Sequence, residues 1–163
     1  LALKCRMIAN HGRIDKYNHV FEGRNSRLDG LQAAILRVKL HHLDGWIARR
    51  NAVAQIYTKE LAGTGDLHLP SVVKDCRHAF HLYVVRTDRR EALIECLNAN
   101  NVQTGVHYPI ALPKLAAYEY LGQASEPMFA NRSDRTLLSL PIGEHISDDD
   151  ARSVASLVRH FFN

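Results

Sequence analysis

Glu22-Gly23-Arg24-Asn25-Ser26-Arg27, followed by the proline-free run from Leu28 to Leu61, is the stretch whose reading decides the fold. A polar loop with a glycine in it feeds directly into the longest helical pattern of the chain. Ser26 and Asp29 have the spacing of a capping box, in which a hydroxyl accepts from first-turn amides and an acid suits the positive helix end. Beyond this cap Leu36, Leu40, Leu43, Ile47, Ala54, Tyr57 and Leu61 recur at alternating steps of four and three, with Arg50 in the gap. Arg37, Lys39, His41, His42 and Arg49 mostly fall elsewhere, so the spacing predicts one amphipathic helix over residues 26–62, bent near Gly45. Unbroken, it would be ~50 Å long at ~1.5 Å per residue. That is more than a domain of this size needs for its own core, and a helix of that reach is expected to join two bodies.

On the N-terminal side, Leu1 to Ala9 reads as the end of an element. Asn10 to Arg24, with breakers at His11-Gly12 and Gly23, reads as an ordered surface loop. The chain starts at Leu1 rather than Met, from which a piece of a longer protein is expected.

On the C-terminal side, Gly63 and Gly65 mark a turn, and Asp66 to Leu69 is extended up to Pro70. Phe80, Leu82 and Val84 alternate with His81, Tyr83 and Val85, the period of a strand. Asp88 and Glu91 read as a cap pair ahead of a short helix that stops at Asn98 to Asn101. A second strand is predicted over Val102 to Val106, ending at Tyr108-Pro109, where the ladder loses an amide. Pro113 to Tyr120 and Glu126 to Arg135 read as brief helices, and Leu137 to Leu140 as a strand stopped by Pro141. Ser147 caps a last helix whose positive first turn holds Asp148, Asp149 and Asp150 and whose buried stripe is Val154, Leu157, Val158 and Phe161. The order predicts a small α+β domain over 63–163, its largely antiparallel sheet covered by helices.

With 46% hydrophobic and 23% charged residues among 163, the chain has the makings of an ordinary soluble core. Its net charge of +4 is spread without a run, so no nucleic-acid partner is expected. Cys5, Cys76 and Cys96 lack disulfide or zinc-finger spacing. No apolar run approaches the ~20 residues that span a bilayer. The expectation is a cytoplasmic protein with no membrane partner. GxGxxG, P-loop, HExxH and GxSxG motifs are absent. His41-His42 point apart on a helix, and a helix cap accounts for Asp148 to Asp150, so no metal site is expected.

Two places could carry chemistry. Arg24, Asn25, Ser26 and Arg27 beside free helix amides could hold an anion, phosphate above all, or be a solvated helix start. His107 and Tyr108, at the end of the second predicted strand, could touch a polar substrate, or His107 could be a core histidine. Spacing alone leaves both alternatives open.

Taken in order, Asn10-His11-Gly12, Gly23-Arg24-Asn25-Ser26-Arg27, Leu31-Gln32-Ala33-Ala34-Ile35, Arg49/Arg50 with Tyr57 and Leu61, His81 with Tyr83, Val102 to Pro109, and Leu138-Ser139-Leu140-Pro141 resemble the DegT/DnrJ/EryC1/StrS family of PLP-dependent sugar aminotransferases. The resemblance covers nearly the whole chain and implies the C-terminal part of a type I aminotransferase fold, with an α/β-type parent. Residues 1–25 would end the large cofactor domain and carry an interface loop, 26–62 would be the connecting helix, and 63–163 the small domain. It implies a homodimer with shared active sites, pyridoxal 5'-phosphate as cofactor, and transfer of an amino group, typically from glutamate, to a nucleotide-linked keto-sugar. Asn25 would reach the phosphate of the neighbouring subunit's cofactor, Arg27 would assist there or meet the substrate's diphosphate, and His107 and Tyr108 would line the sugar side. None of Lys4, Lys16, Lys39, Lys59, Lys74 or Lys114 stands in the context of the family's Schiff-base lysine, so no catalytic residue is assigned and the chain alone is expected to be inactive. Ala111-Leu112-Pro113 departs from the Pro-Leu-His common in relatives. A sugar dehydratase of the same family and a non-catalytic α+β binding or assembly module are the alternatives.

Overall fold

The helix expected to start behind Ser26 begins instead at Gly30 in the computed structural model, which describes residues 1–163. Asp29, not Ser26, is the cap: its carboxylate accepts from Gln32 N at 2.9 Å. Ser26 is spent in the loop, its N–H donating to Ala9 O.

The single helix expected over 26–62 is two. One runs from Gly30 to Leu40 and the next from Leu43 to Glu60. Between them His41 N and His42 N bond three residues back, to Val38 O and Lys39 O, which tightens the last turn out of the α-ladder. No residue of the first of these helices is buried, so no packing enforces a continuous rod there. Gly45, where a bend was expected, lies inside the second.

The break coincides with a division of the chain into two compact units, Leu1–Leu43 and Asp44–Asn163. The first holds α1 (Ala2–Ile8), an ordered loop and α2 (Gly30–Leu40). Met7 is its one buried hydrophobic side chain.

The second unit is built from most of α3 (Leu43–Glu60), β1 (Tyr83–Arg86), α4 (Arg90–Ala99), two 3-10 turns, α5 (Phe129–Ser133), β2 (Leu137–Leu140) and α6 (Asp148–Phe162). Its core joins Val53, Ala54, Tyr57 and Leu61 to Tyr83 and Val85 of β1, Leu93 and Leu97 of α4, Leu138 and Leu140 of β2, and Val154 and Val158 of α6. The tyrosine hydroxyls buried with them are satisfied, Tyr57 by Pro141 O at 2.8 Å and Tyr83 by Thr58 Oγ1 at 2.9 Å. The Ser147 cap expected at α6 is present, and with Asp150 it closes a full capping box.

β1 pairs antiparallel with β2 in the register Tyr83 with Leu140 to Arg86 with Leu137. Phe80, with φ of +44°, falls outside β1, which starts at Tyr83. The strand expected over 102–106 shrinks to one bridge, Gly105 with Ser139. Its ladder does not extend because the chain turns at His107, whose ring folds back beside Gly105, and Pro109 has no N–H to offer. On the far edge of β1, His68 exchanges both backbone bonds with Arg86.

Two arginines tie loops to α3. Arg50 Nη1 donates to Phe80 O, His81 O and Ile142 O, while Nη2 meets Glu144. Arg49 donates twice to Ile146 O and meets Asp148 at 2.6 Å. No helix is long and apolar enough to cross a membrane.

Candidate functional site

Asn25 lies where two stretches of backbone are pressed together. His11 N donates to Arg24 O, Arg24 N to Ile8 O, and Ser26 N to Ala9 O, so the segments 8–11 and 24–26 form a short two-sided frame. The approach leaves no room for side chains: a Cβ on Gly12 would lie 1.6 Å from Phe21 O, and one on Gly23 2.1 Å from Gly12 N. This crowding is why both breakers in the sequence are glycine.

Within that frame, Arg27 Nε donates to Asn25 Oδ1 at 3.0 Å. The bond engages the carboxamide oxygen of Asn25 and leaves its N–H donors without a partner in the chain; both residues, with Leu28 and Asp29, line a concavity of about 460 Å3. Because Asp29 already takes the Gln32 amide, the anion-binding capacity lies in these two side chains more than in the helix amides. The donor set, one carboxamide and one planar cation, suits a phosphate; Asp29 is the one acid on its rim.

The second pair lies in the Asp44–Asn163 unit. His107 Nδ1 lies 2.9 Å from Ser139 Oγ, and its ring meets that of Tyr108 edge-on at 5.6 Å across a cis peptide. His107 is half-buried and Tyr108 exposed, so the histidine is not a sealed core residue. Tyr108 also borders an open groove of about 700 Å3, mostly apolar, formed with Ile110, Leu112, Leu115, Phe129 and Leu137.

At the groove floor Asp134 is buried, and its Oδ2 accepts from Lys114 Nζ at 2.8 Å and from Ala111 N at 3.2 Å. The Lys114 ammonium holds the Asp134 carboxyl below the usual carboxylate range, with burial opposing it and the Ala111 amide adding to it. Sequence reasoning did not single out Lys114 as a structural cation, nor Ser139 as a partner of His107. For Ser139 the available signal was a lone hydroxyl in the apolar run Leu137 to Leu140. Asp134 carried no such mark.

The structure therefore brings Asn25 together with Arg27, and His107 with Tyr108. The profile of the DegT/DnrJ/EryC1/StrS aminotransferase family matches residues 1–159. The chain is 41% identical, over 99% of its length, to a dTDP-3-amino-3,4,6-trideoxy-alpha-D-glucose transaminase of Streptomyces venezuelae, of which it covers 43%. It is 38% identical to a dTDP-3-amino-3,6-dideoxy-alpha-D-galactopyranose transaminase of Aneurinibacillus thermoaerophilus, covering 99% of this chain and 44% of that one. Among solved structures, S. venezuelae DesV in complex with a ketimine intermediate superposes with a TM-score of 0.90 at 39% identity, over 99% of this chain and 44% of that one. The chain thus spans less than half the length of these relatives.

Proposed function

This chain belongs to the DegT/DnrJ/EryC1/StrS aminotransferase family, and on that premise we propose that it is the C-terminal portion of a PLP-dependent nucleotide-sugar aminotransferase. The observation that carries the reading is the hydrogen-bonded Asn25–Arg27 pair, both members of which line one concavity beside a backbone-locked loop. Asn25 would donate its amide to a phosphate oxygen of the cofactor bound by the partner protomer, and Arg27 would neutralise the phosphate's charge. His107 and Tyr108 would face the sugar side, one with a ring nitrogen and the other with a phenol. The two names above each specify a dTDP-linked amino sugar; a product of that class is proposed here, formed from the corresponding nucleotide-linked keto-sugar with glutamate as amino donor.

Bound pyridoxal phosphate would supply the electron sink for the amino transfer. This chain would contribute the anchoring of the phosphate and the lining of the sugar pocket, while the lysine that holds the cofactor covalently would come from outside it. Residues 1–25 would end the large cofactor domain and 63–163 form the small one, in a homodimer with shared sites.

Substituting Asn25→Ala in the full-length protein should weaken PLP retention about 10-fold or more, the worth of a hydrogen bond to a charged group. Equilibrium dialysis against PLP measures it. An unchanged affinity would overturn the assignment of Asn25.

A further inference from the structure

We propose that Ser139 is the positioning residue of His107, fixing its imidazole with the proton on Nε2, so that this nitrogen is presented as a hydrogen-bond donor. That the donor then meets an oxygen of the nucleotide-linked substrate rests on the reading of His107 given above.

Ser139 is 5% exposed and sits on β2, where its backbone N–H and C=O are both taken by Gly105. Its hydroxyl has one partner in the chain, His107 Nδ1 at 2.9 Å. A buried hydroxyl that left its hydrogen unshared would be destabilising, and Nδ1 is the acceptor with which Ser139 Oγ is in hydrogen-bond contact. The O–H therefore donates to Nδ1. That nitrogen must be bare, and in a neutral imidazole the proton then sits on Nε2.

The opposite side of the cradle is an absence. Gly105 does not have a left-handed φ, so its backbone does not demand glycine; a Cβ there would lie 2.6 Å from His107 Cε1. The glycine is the space in which the ring lies. Tyr108 flanks the ring edge-on. Nε2 has no hydrogen bond within the chain and is not among its buried unpartnered atoms, so it is open to a ligand. Gly105 and Tyr108, close neighbours of His107 in sequence, and Ser139, 32 residues away, thus leave one ring nitrogen free and set what it can do.

The test is nitrogen-15 NMR of histidine-labelled full-length protein at mildly alkaline pH, above the ordinary imidazole range. The expected spectrum has the proton on Nε2 and a bare Nδ1. Ser139→Ala should shift both nitrogens toward the averaged values of exchanging tautomers, and Ser139→Thr, which keeps a hydroxyl, should restore them. Gly105→Ala, which displaces the ring while leaving the hydroxyl in place, should give the same averaging. A proton on Nδ1 in the unaltered chain, or a Ser139→Ala spectrum identical to it, would overturn the proposal. In the full-length enzyme, Ser139→Ala should raise KM for the nucleotide-sugar about 5- to 10-fold with cofactor absorbance unchanged. Spectra as expected, with KM unchanged in both Ser139→Ala and His107→Ala, would uphold the positioning and overturn the substrate-side reading of His107.

Discussion

Lys114 and Asp134 show how much one pair of side chains can decide. The Asp134 side chain is 6% exposed and that of Lys114 29%, so the charge that needs its partner is the acid. Lys114 Nζ also donates to Asn131 O, which pins the ammonium between α5 and the turn at Leu112. Replacing it as Lys114→Met keeps the stem and removes the counter-charge, leaving a buried carboxylate with one backbone donor. The expected cost at neutral pH is about 2–3 kcal/mol. Because the folded state lowers the pKa of Asp134, the pair's stabilisation is full above the ordinary carboxylate range and is lost as pH falls through the depressed value. Urea unfolding of both proteins should therefore show a stability gap that is widest at neutral pH and closes in acid. A gap of constant size would mean that Lys114 acts through packing alone.

At the scale of elements, α3 holds its neighbours through arginine forks as much as through its apolar side. Arg50 spreads one guanidinium over carbonyls from the approach to β1 and from the segment after β2, a geometry that an ammonium cannot reproduce. Arg50→Lys should thus cost about 1–2 kcal/mol despite the retained charge, read as a lower thermal midpoint; a Lys variant as stable as the parent would show that charge alone suffices. The same element shows what sequence could and could not give. The cap of α6 and the strand before Pro141 were legible because their causes lie within a few residues of each other. The break at His41-His42 was not: a stripe at helical spacing tells which residues could be buried, and here nothing in the chain covers α2 to keep its rod continuous. The strand over 102–106 failed for a related reason, since alternation does not reveal that His107 turns its ring back on Gly105. Asn25 with Arg27 was legible from residue type within one short loop. Ser139 with His107, and Lys114 with Asp134, depend on contacts 32 and 20 residues apart, which no local pattern announces.

Taken whole, the molecule is uneven. The Asp44–Asn163 unit has a continuous core, whereas the Leu1–Leu43 unit buries Met7 and leaves Leu31, Ile35, Leu36, Val38 and Leu40 exposed. So little burial does not offset the entropy of ordering that segment, and an apolar surface of several hundred Å2 is what interfaces are made of. The isolated chain should accordingly associate with rising concentration. Sedimentation velocity should show Ile35→Ser combined with Leu36→Ser shifting it toward monomer, and a parent chain that stays monomeric throughout would refute the expectation. The frame around Asn25 behaves differently from that surface. Its bonds run from main chain to main chain, and beyond Gly12 and Gly23 it asks little of residue identity. In evolutionary terms it is a heritable mount: a lineage can rewrite much of the loop between the two glycines, and with it whatever the loop meets, while the presentation of Asn25 passes on unchanged.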